Sequence, residues 1–237
     1  MAYYPDNMPQ FGGTDFTLSQ RVSAVMKGVY LRMTFGLLVT AIVAMIAAGS
    51  SFTGYMLTHS MVYWGLFIAE IVLVLVTSAR INRMQSSTAA LLFYLFAVVN
   101  GLALSGIFYV YTGASIAKTF FITAGTFGGM SIFGYTTKQD LSRIGSLLYM
   151  ALWGLIIAVL VNMFTQSSTM DWIISIVGVL IFVGLTAWDT QQIKRMAEVM
   201  PAASTGHLAT LGALTLYLDF INLFIYLLRF FGDSNHN

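Results

Sequence analysis

The sequence predicts an all-α membrane protein with seven transmembrane helices, and three features of its composition support this prediction. Hydrophobic residues make up 58% of the 237-residue chain, charged residues make up only 8%, and long uncharged runs separate the charges. A soluble domain carries about 25% charged residues. So few charges cannot cover a water-facing surface, and a net charge of +2 gives no reason to expect a nucleic-acid partner. The solvent around most of the chain is therefore expected to be lipid.

The charged residues divide the chain into seven runs, each close to the roughly 20 apolar residues that a spanning helix needs. The predicted spans are 31–50, 61–79, 88–111, 119–137, 145–164, 172–188 and 208–229. They form one membrane domain, residues 30–232, because no loop is long enough to fold alone. A mobile polar tail, residues 1–29, is expected before this domain and a short tail, residues 233–237, after it. The chain has no cysteine, which excludes thiolate metal sites, thiol nucleophiles and disulfides.

The basic residues predict how the helices are oriented in the membrane. With seven spans and a cytoplasmic N-terminus, nine Lys and Arg residues fall in cytoplasmic segments, and only Lys118 and Arg229 fall on the far side. This bias agrees with the positive-inside rule. The C-terminus then lies on the far side if the seventh segment crosses the membrane. If that segment re-enters instead, Arg229 moves inside, and the charge bias does not decide between the two arrangements.

Small residues predict where the helices pack closely, since lipid gives little hydrophobic drive for helix association. Gly125 and Gly129 form a GxxxG pair in the fourth span. Ala97, Gly101 and Ser105 form a ridge of small residues in the third span. Both sets are interpreted as packing faces, and no chemistry is assigned to them.

The seventh span combines a polar stripe with an otherwise apolar helix. At 100° per residue, six of its residues fall within an arc of about 100°. They are Gly212, Thr215, Asp219, Asn222, Tyr226 and Arg229. An ionisable residue at a helix centre costs about 2.5–3.5 kcal/mol on insertion scales, so it needs a partner, a water-filled cavity or a proton. We therefore expect this stripe to face the interior of the bundle, either as a functional site or as interhelical hydrogen-bond contacts.

Two further spans carry ionisable residues that need an explanation. In the second span, Glu70, Thr77 and Arg80 share an arc of about 80°, which fits either an internal ion pair or a functional site. Asp189 follows the predicted sixth span, where the helix dipole disfavours an acidic group. Asp219 lies roughly 16 Å from the start of its span at 1.5 Å per residue. Asp189 and Asp219 can meet only if the seventh span begins deeper or the sixth continues past Asp189.

Three segments together resemble one known family. The sequence WDTQQIK at 188–194 resembles the signature after the sixth helix of the Bax inhibitor-1 family, also called the transmembrane Bax inhibitor motif family. The sequence LYLDFINLFI at 216–225 resembles the last helix of that family, and TTKQDLS at 136–142 resembles its loop between the fourth and fifth helices. The resemblance runs from about residue 21 to 232 and is closest to bacterial members. The departure is Trp188, where Tyr or Phe is common.

This resemblance implies a fold, an activity and roles for particular residues. It implies seven helices with the last one central, and a pH-sensitive calcium leak across the bacterial inner membrane rather than an enzyme with a cofactor. The family's pH sensor is an Asp pair, which maps onto Asp189 and Asp219. Arg80 is the nearest match to an arginine that latches the first of these. Glu70 and Arg229 match positions that can pair.

Elementary electrostatics gives such an Asp pair a mechanism. Two carboxylates held close together cannot both ionise cheaply, so they gain and lose protons as a unit. This would provide a proton switch near physiological pH without a histidine. Ca²⁺ prefers six to eight oxygen ligands. Asp189, Asp219 and Glu70 could supply some and water the rest, which predicts a weak, transient site. In this hypothesis the ionised pair holds Arg80 and attracts cations, and protonation favours another state of the bundle.

Other functions remain open at this stage. An intramembrane aspartyl protease is disfavoured, because no Gly-x-Gly-Asp motif precedes either aspartate, and a retinal protein is excluded because no span contains a lysine. A proton-coupled transporter of a small solute would need a substrate pocket. A regulator that binds other membrane proteins, such as a quality-control protease, would act without any ion flux. The sequence decides neither the ion selectivity nor the oligomeric state.

Overall fold

The computed structural model describes residues 11–81, 83–199 and 204–233, with side chains from residue 17 onward. Nine helices cover most of this described part. In chain order they are α1 (Phe11–Ala48), α2 (Ser51–Thr58), α3 (Ser60–Arg80), α4 (Ser86–Leu104), α5 (Ile107–Val110), α6 (Gly113–Thr136), α7 (Ser142–Thr165), α8 (Ser168–Val199) and α9 (Thr205–Phe231).

Short polar residues set several of the helix boundaries. The Thr112 hydroxyl accepts a hydrogen bond from the backbone N–H of Ser115 at 3.2 Å, which satisfies a free donor in the first turn of α6. At the end of α7, Gln166 adopts a left-handed conformation with φ of 49°. The Asn162 side chain then accepts from the N–H of Ser167 at 3.1 Å. These contacts turn the chain directly into α8.

Seven of the helices are long and apolar enough to cross a membrane, with α4 and α5 counting as one span. The last helix lies at the centre: α9 packs against α8, α1, α6 and α4, and fifteen of its residues are buried. The prediction of an all-α fold with seven spans and a central last helix is therefore confirmed.

The structure corrects the predicted end of the N-terminal tail at residue 29. Helix α1 begins at Phe11, so residues 11–29 are helical and are not a mobile tail. The reason is an apolar face within the polar sequence: Val22, Val25 and Val29 recur at helical spacing and are buried in the core. Residues 1–10 of the predicted tail and residues 234–237 after the last helix lie outside the described residues.

The structure also corrects the predicted end of the sixth helix at residue 188. Helix α8 continues to Val199, well past Trp188, where the uncharged run ends. Ile193 and Ala197 in this extension are buried, so the added turns pack within the protein rather than emerging into water. Asp189 consequently lies inside a continuous helix.

The structure confirms one of the two predicted small-residue packing faces and contradicts the other. The face on α4 is confirmed, because a Cβ at Gly101 would lie only 2.7 Å from the Thr40 carbonyl oxygen of α1, and Ala97 and Ser105 are buried. The face on α6 is wrong as an internal contact. A Cβ at Gly125 or Gly129 would meet nothing within 4 Å, and both residues are exposed on the outside of the bundle.

Candidate functional site

Two aspartates from neighbouring helices meet in a cavity of about 500 Å³ between α7, α8 and α9. Asp189 lies on α8 and Asp219 on α9, and their side chains are 6% and 4% exposed. The two carboxyl groups lie within hydrogen-bonding range of each other. The extension of α8 past residue 188 explains this contact, because it carries Asp189 along the face of α9.

In the part of the chain that the structure describes, the lining of the cavity around this pair carries no positive charge. None of the residues that line the cavity is Lys, Arg or His. The Oδ2 atom of Asp219 is buried and has no hydrogen-bond partner within the described part of the chain. Most of the wall is apolar, with Leu155, Phe182 and Leu185 among its members. The pair is therefore a concentration of acidic groups without a basic side chain in the lining of its cavity.

The polar stripe of α9 faces this same cavity over most of its length. Thr215, Asp219, Asn222 and Tyr226 all line it. The Asn222 Nδ2 group donates to the Leu218 carbonyl oxygen at 2.8 Å, which leaves its side-chain oxygen as an acceptor. The stripe thus combines a buried carboxyl with hydroxyl and amide oxygens along one helix face.

Glu70 lies in a second cavity of about 440 Å³, between α3, α4 and α9. The two cavities have three lining residues in common: Phe67, Leu218 and Asn222. Glu70 accepts a hydrogen bond from Asn100 Nδ2 at 2.9 Å. The three carboxyl groups therefore line adjacent cavities along one side of α9, although Glu70 is separate from the Asp pair.

The structure shows the two arginines in contacts other than those that the family resemblance implies, and their roles stay predictions. Arg80 is the exposed last residue of α3 and forms no ion pair with Asp189 in the described structure, because α3 packs mainly against α4. Arg229 pairs with Asp171 at 3.5 Å rather than with Glu70. It lies in the last turn of α9, while Glu70 lies near the middle of α3, so the two differ in depth.

A chain of hydrogen bonds joins four helices at a place that the motifs did not predict. The Tyr217 hydroxyl donates to Asn100 Oδ1 at 2.9 Å and lies 2.6 Å from the hydroxyl of Thr40. Thr40 in turn lies 2.9 Å from the Ala97 carbonyl oxygen, to which it can donate. With the Asn100–Glu70 contact, the chain runs from α1 through α9 and α4 to α3. An asparagine in the middle of an apolar span was the available signal for it.

The segment of α8 that follows Asp189 holds the loop between α6 and α7. The Gln191 side chain accepts from the N–H of Leu141 at 3.0 Å and donates to the carbonyl oxygen of Gln139 at 2.8 Å. Arg195 forms a 2.8 Å ion pair with Asp140. Hydrogen bonds from Ser142, together with Arg195, lower the pKa of Asp140 to about 2. The two segments that resemble family motifs are thus physically joined.

The structure offers few ligands for a permanently bound metal ion. Within the described residues, no group of three or more His, Cys, Asp or Glu side chains could hold one. Asp189 and Asp219 supply carboxylate oxygens, and Thr215, Asn222 and Tyr226 add neutral ones. This falls short of the six to eight oxygens that Ca²⁺ prefers unless water completes the shell.

Comparison with known proteins agrees with this architecture. A family model described as "Inhibitor of apoptosis-promoting Bax1" matches residues 22–236. The chain is 48% identical over 232 residues to "Inner membrane protein YbhL" of Escherichia coli K12, a match that covers 95% of this chain and 99% of that protein. It is 44% identical over 212 residues to an uncharacterized protein of Borreliella burgdorferi, covering 88% of this chain and 91% of the relative. It is also 40% identical over 222 residues to the uncharacterized protein RP147 of Rickettsia prowazekii, covering 92% of each. This chain belongs to the Bax inhibitor-1 family.

Proposed function

We propose that this protein is a pH-sensitive leak for cations, Ca²⁺ among them, and that protonation of the Asp189–Asp219 pair controls it. The observation that carries the proposal is the contact between these two buried carboxyl groups in a cavity without a cationic side chain. A purely structural role would be served by a neutral polar pair at lower cost, because charged groups inside a membrane are expensive.

The charge of the cavity depends on the protons that the pair holds. Two adjacent carboxyl groups out of water cannot both ionise cheaply, and they titrate as a unit. When the pair is charged, it attracts a cation into the cavity; when it is neutral, this attraction is lost. Arg80 forms no ion pair with Asp189 among the described residues, and the proposal therefore assigns the switch to the Asp pair alone.

The site is suited to passage of Ca²⁺ rather than to its storage. The pair and the neutral oxygens of Thr215, Asn222 and Tyr226 can replace part of the hydration shell, and water supplies the remainder. Conduction requires binding that is favourable enough for entry and weak enough for exit. The second cavity beside Glu70 extends the acidic surface along α9 and gives an ion a second position.

The membrane is proposed to be the bacterial inner membrane, which the name of the Escherichia coli relative states for that protein. The distribution of Lys and Arg favours a cytoplasmic N-terminus and a C-terminus on the far side. The α8 extension and the α6–α7 loop then face the cytoplasm, which would place the Asp pair toward the cytoplasmic half of the bundle.

Calcium flux in proteoliposomes tests this proposal. Wild type, the double variant Asp189→Asn/Asp219→Asn and the loop variant Asp140→Asn would be reconstituted with a calcium dye inside, and influx would be followed from about pH 6 to about pH 8. We expect pH-dependent flux in wild type and in Asp140→Asn, and loss of that pH dependence in the double variant. Unchanged flux and pH dependence in the double variant would show that the pair is not the switch.

The size of the first cavity favours one second candidate, a proton-coupled transporter of a small cationic solute. A volume of about 500 Å³ falls within the range of about 300–1,000 Å³ that is typical of small-molecule sites. A leak moves Ca²⁺ without moving protons in a fixed ratio. Uptake that requires a pH gradient across the liposome, in the absence of Ca²⁺ flux, would favour the transporter.

A further inference from the structure

A groove on the outside of the bundle lies between α1 and α6, away from the Asp pair. Its volume is about 810 Å³, and most of its lining is apolar. Met26, Met33 and Phe127 are buried and form its floor, whereas Leu31 and Ile132 are exposed at its edges. The groove is thus open to the surrounding lipid along its length.

One end of this groove is polar and positively charged. A smaller pocket of about 360 Å³, lined by Ser19, Gln20, Ser23, Ala24 and Lys27, adjoins it there, and Ser23 and Lys27 line both. Lys27 forms no ion pair with any residue that the structure describes. A second ammonium group, that of Lys194, lies 4.9 Å from the ring centre of Tyr135, which also lines the groove. Among the side chains that the structure describes, no acidic residue lines either pocket.

We propose that the α1–α6 groove binds one anionic phospholipid, with an acyl chain in the apolar part and the phosphate beside Lys27. The charge pattern selects this occupant, because an anionic head group complements Lys27, which lines both pockets, and Lys194 beside Tyr135. Ser19 and Ser23 can donate hydrogen bonds to phosphate or glycerol oxygens. This proposal concerns a site apart from the cation pathway and does not rest on the proposed function.

The length of the groove agrees with a lipid in one leaflet. From Ser23 to Thr34 along α1, a rise of 1.5 Å per residue gives about 16 Å. Half of the hydrocarbon core of a bilayer is about 15 Å. The orientation that the Lys and Arg distribution favours puts the Lys27 end at the cytoplasmic surface, so the occupant would come from the cytoplasmic leaflet.

A glycine on α6 allows the groove to be filled without disturbing the fold. A Cβ at Gly128 would meet nothing within 4 Å, and Gly128 lines the groove. Gly129 is equally free of neighbours but does not line the groove. Gly128→Leu therefore fills the groove, and Gly129→Leu is a matched control on the next face of the same helix.

Native mass spectrometry of the detergent-solubilised full-length protein tests the proposal. Phosphatidylglycerol or phosphatidylcholine with identical acyl chains would be added, and the lipid that stays bound would be counted. We expect wild type and Gly129→Leu to retain one phosphatidylglycerol in preference to phosphatidylcholine, and Gly128→Leu to lose it. Lys27→Gln should weaken this preference about fivefold, the effect of one lysine near a membrane surface.

Thermal unfolding of each variant would show whether it has folded. If Gly128→Leu fails to fold, Lys27→Gln still tests the site, because this substitution leaves the groove itself intact. The proposal is overturned if Gly128→Leu binds phosphatidylglycerol as wild type does. It is also overturned if wild type binds the two lipids equally, or if Lys27→Gln keeps the wild-type preference for phosphatidylglycerol. No ion flux enters this measurement, so its outcome is independent of the leak.

Discussion

The last helix and the second span carry the same kind of acidic residue in contrasting surroundings. Helix α9 buries fifteen residues and contacts most of the bundle, whereas Thr77 is the only residue that α3 buries. Asp219 consequently meets a second carboxyl group at a buried position, while Glu70 is half-buried and bonds to an amide. The contrast teaches that helix packing decides the chemistry available to an intramembrane acid.

The two helices are nevertheless connected through shared groups. Phe67 of α3 and Asn222 of α9 line both cavities, and the hydrogen-bond chain through Tyr217 and Asn100 links α9 to Glu70. Helix α3 is therefore a lightly packed wall beside a deeply buried central helix. Changes on α9 should disturb both the fold and the site, and changes on α3 should disturb the site with little effect on the fold.

The largest expected effect is on stability. Leu223 of α9 is fully buried, and Leu223→Ala should destabilise the protein by about 2–5 kcal/mol, as a cavity in a packed core does. Leu75 of α3 is 62% exposed, and Leu75→Ala should change the free energy of unfolding by no more than about 0.5 kcal/mol. Equilibrium unfolding in mixed micelles measures both. Equal losses in the two variants would refute the contrast between the helices.

The hydrogen-bond chain gives a smaller effect. Tyr217→Phe removes the hydroxyl that donates to Asn100 Oδ1 and leaves a buried acceptor without its partner, which should cost about 1–3 kcal/mol. Tyr63→Phe on α3 is the matched control, because Tyr63 is exposed, and little change is expected. The same unfolding assay compares them, and identical stability of the two variants would mean that the chain adds nothing.

Glu70→Gln tests whether Glu70 and the Asp pair have different roles in calcium flux. The glutamine oxygen can still accept from Asn100, so stability should stay within about 0.5 kcal/mol of wild type. Calcium flux should fall at every pH because the second cavity loses its charge, but its pH dependence should remain. If Glu70→Gln abolishes the pH dependence, the switch lies on α3 and not at the Asp pair.

The smallest effect concerns the loop between α6 and α7. Asp140 has its pKa lowered to about 2 by hydrogen bonds from Ser142 and by Arg195. The contact therefore stabilises the loop fully when the pH is above the ordinary carboxyl pKa of 3.8, and this stabilisation is lost as the pH falls through about 2. At neutral pH, Asp140→Asn should speed amide hydrogen exchange in residues 137–141 without a measurable change in global stability. Unaltered exchange would show that Gln191 alone holds the loop.

The sequence predicted the spans because uncharged runs report directly on lipid exposure. It also predicted the polar stripe of α9, since residues at helical spacing share a face whatever surrounds them. Charge counting failed at the helix ends. The segment around Val22, Val25 and Val29 and the segment after Trp188 are too polar to be membrane-like. Both are helical because one face of each packs on the protein.

Contacts between distant segments could not be predicted from the residues alone. The pairing of Arg229 with Asp171, rather than with Glu70, depends on depth in the bundle. The open surface at Gly125 and Gly129 depends on which helices surround α6, since the same GxxxG pattern fits an internal face and an outer one. The meeting of Asp189 with Asp219 required the continuation of α8 past Asp189, one of two arrangements between which the sequence did not decide.

The central claim is that Asp189 and Asp219 bind protons as one unit, and infrared spectroscopy tests it most directly. The carboxylic-acid carbonyl band would be followed as a function of pH in wild type, Asp189→Asn and Asp219→Asn. The account predicts that, in each single variant, the remaining carboxyl group titrates at a different pH from the wild-type pair, because its charged neighbour is gone. A band that titrates identically in wild type and in the single variants would contradict the claim.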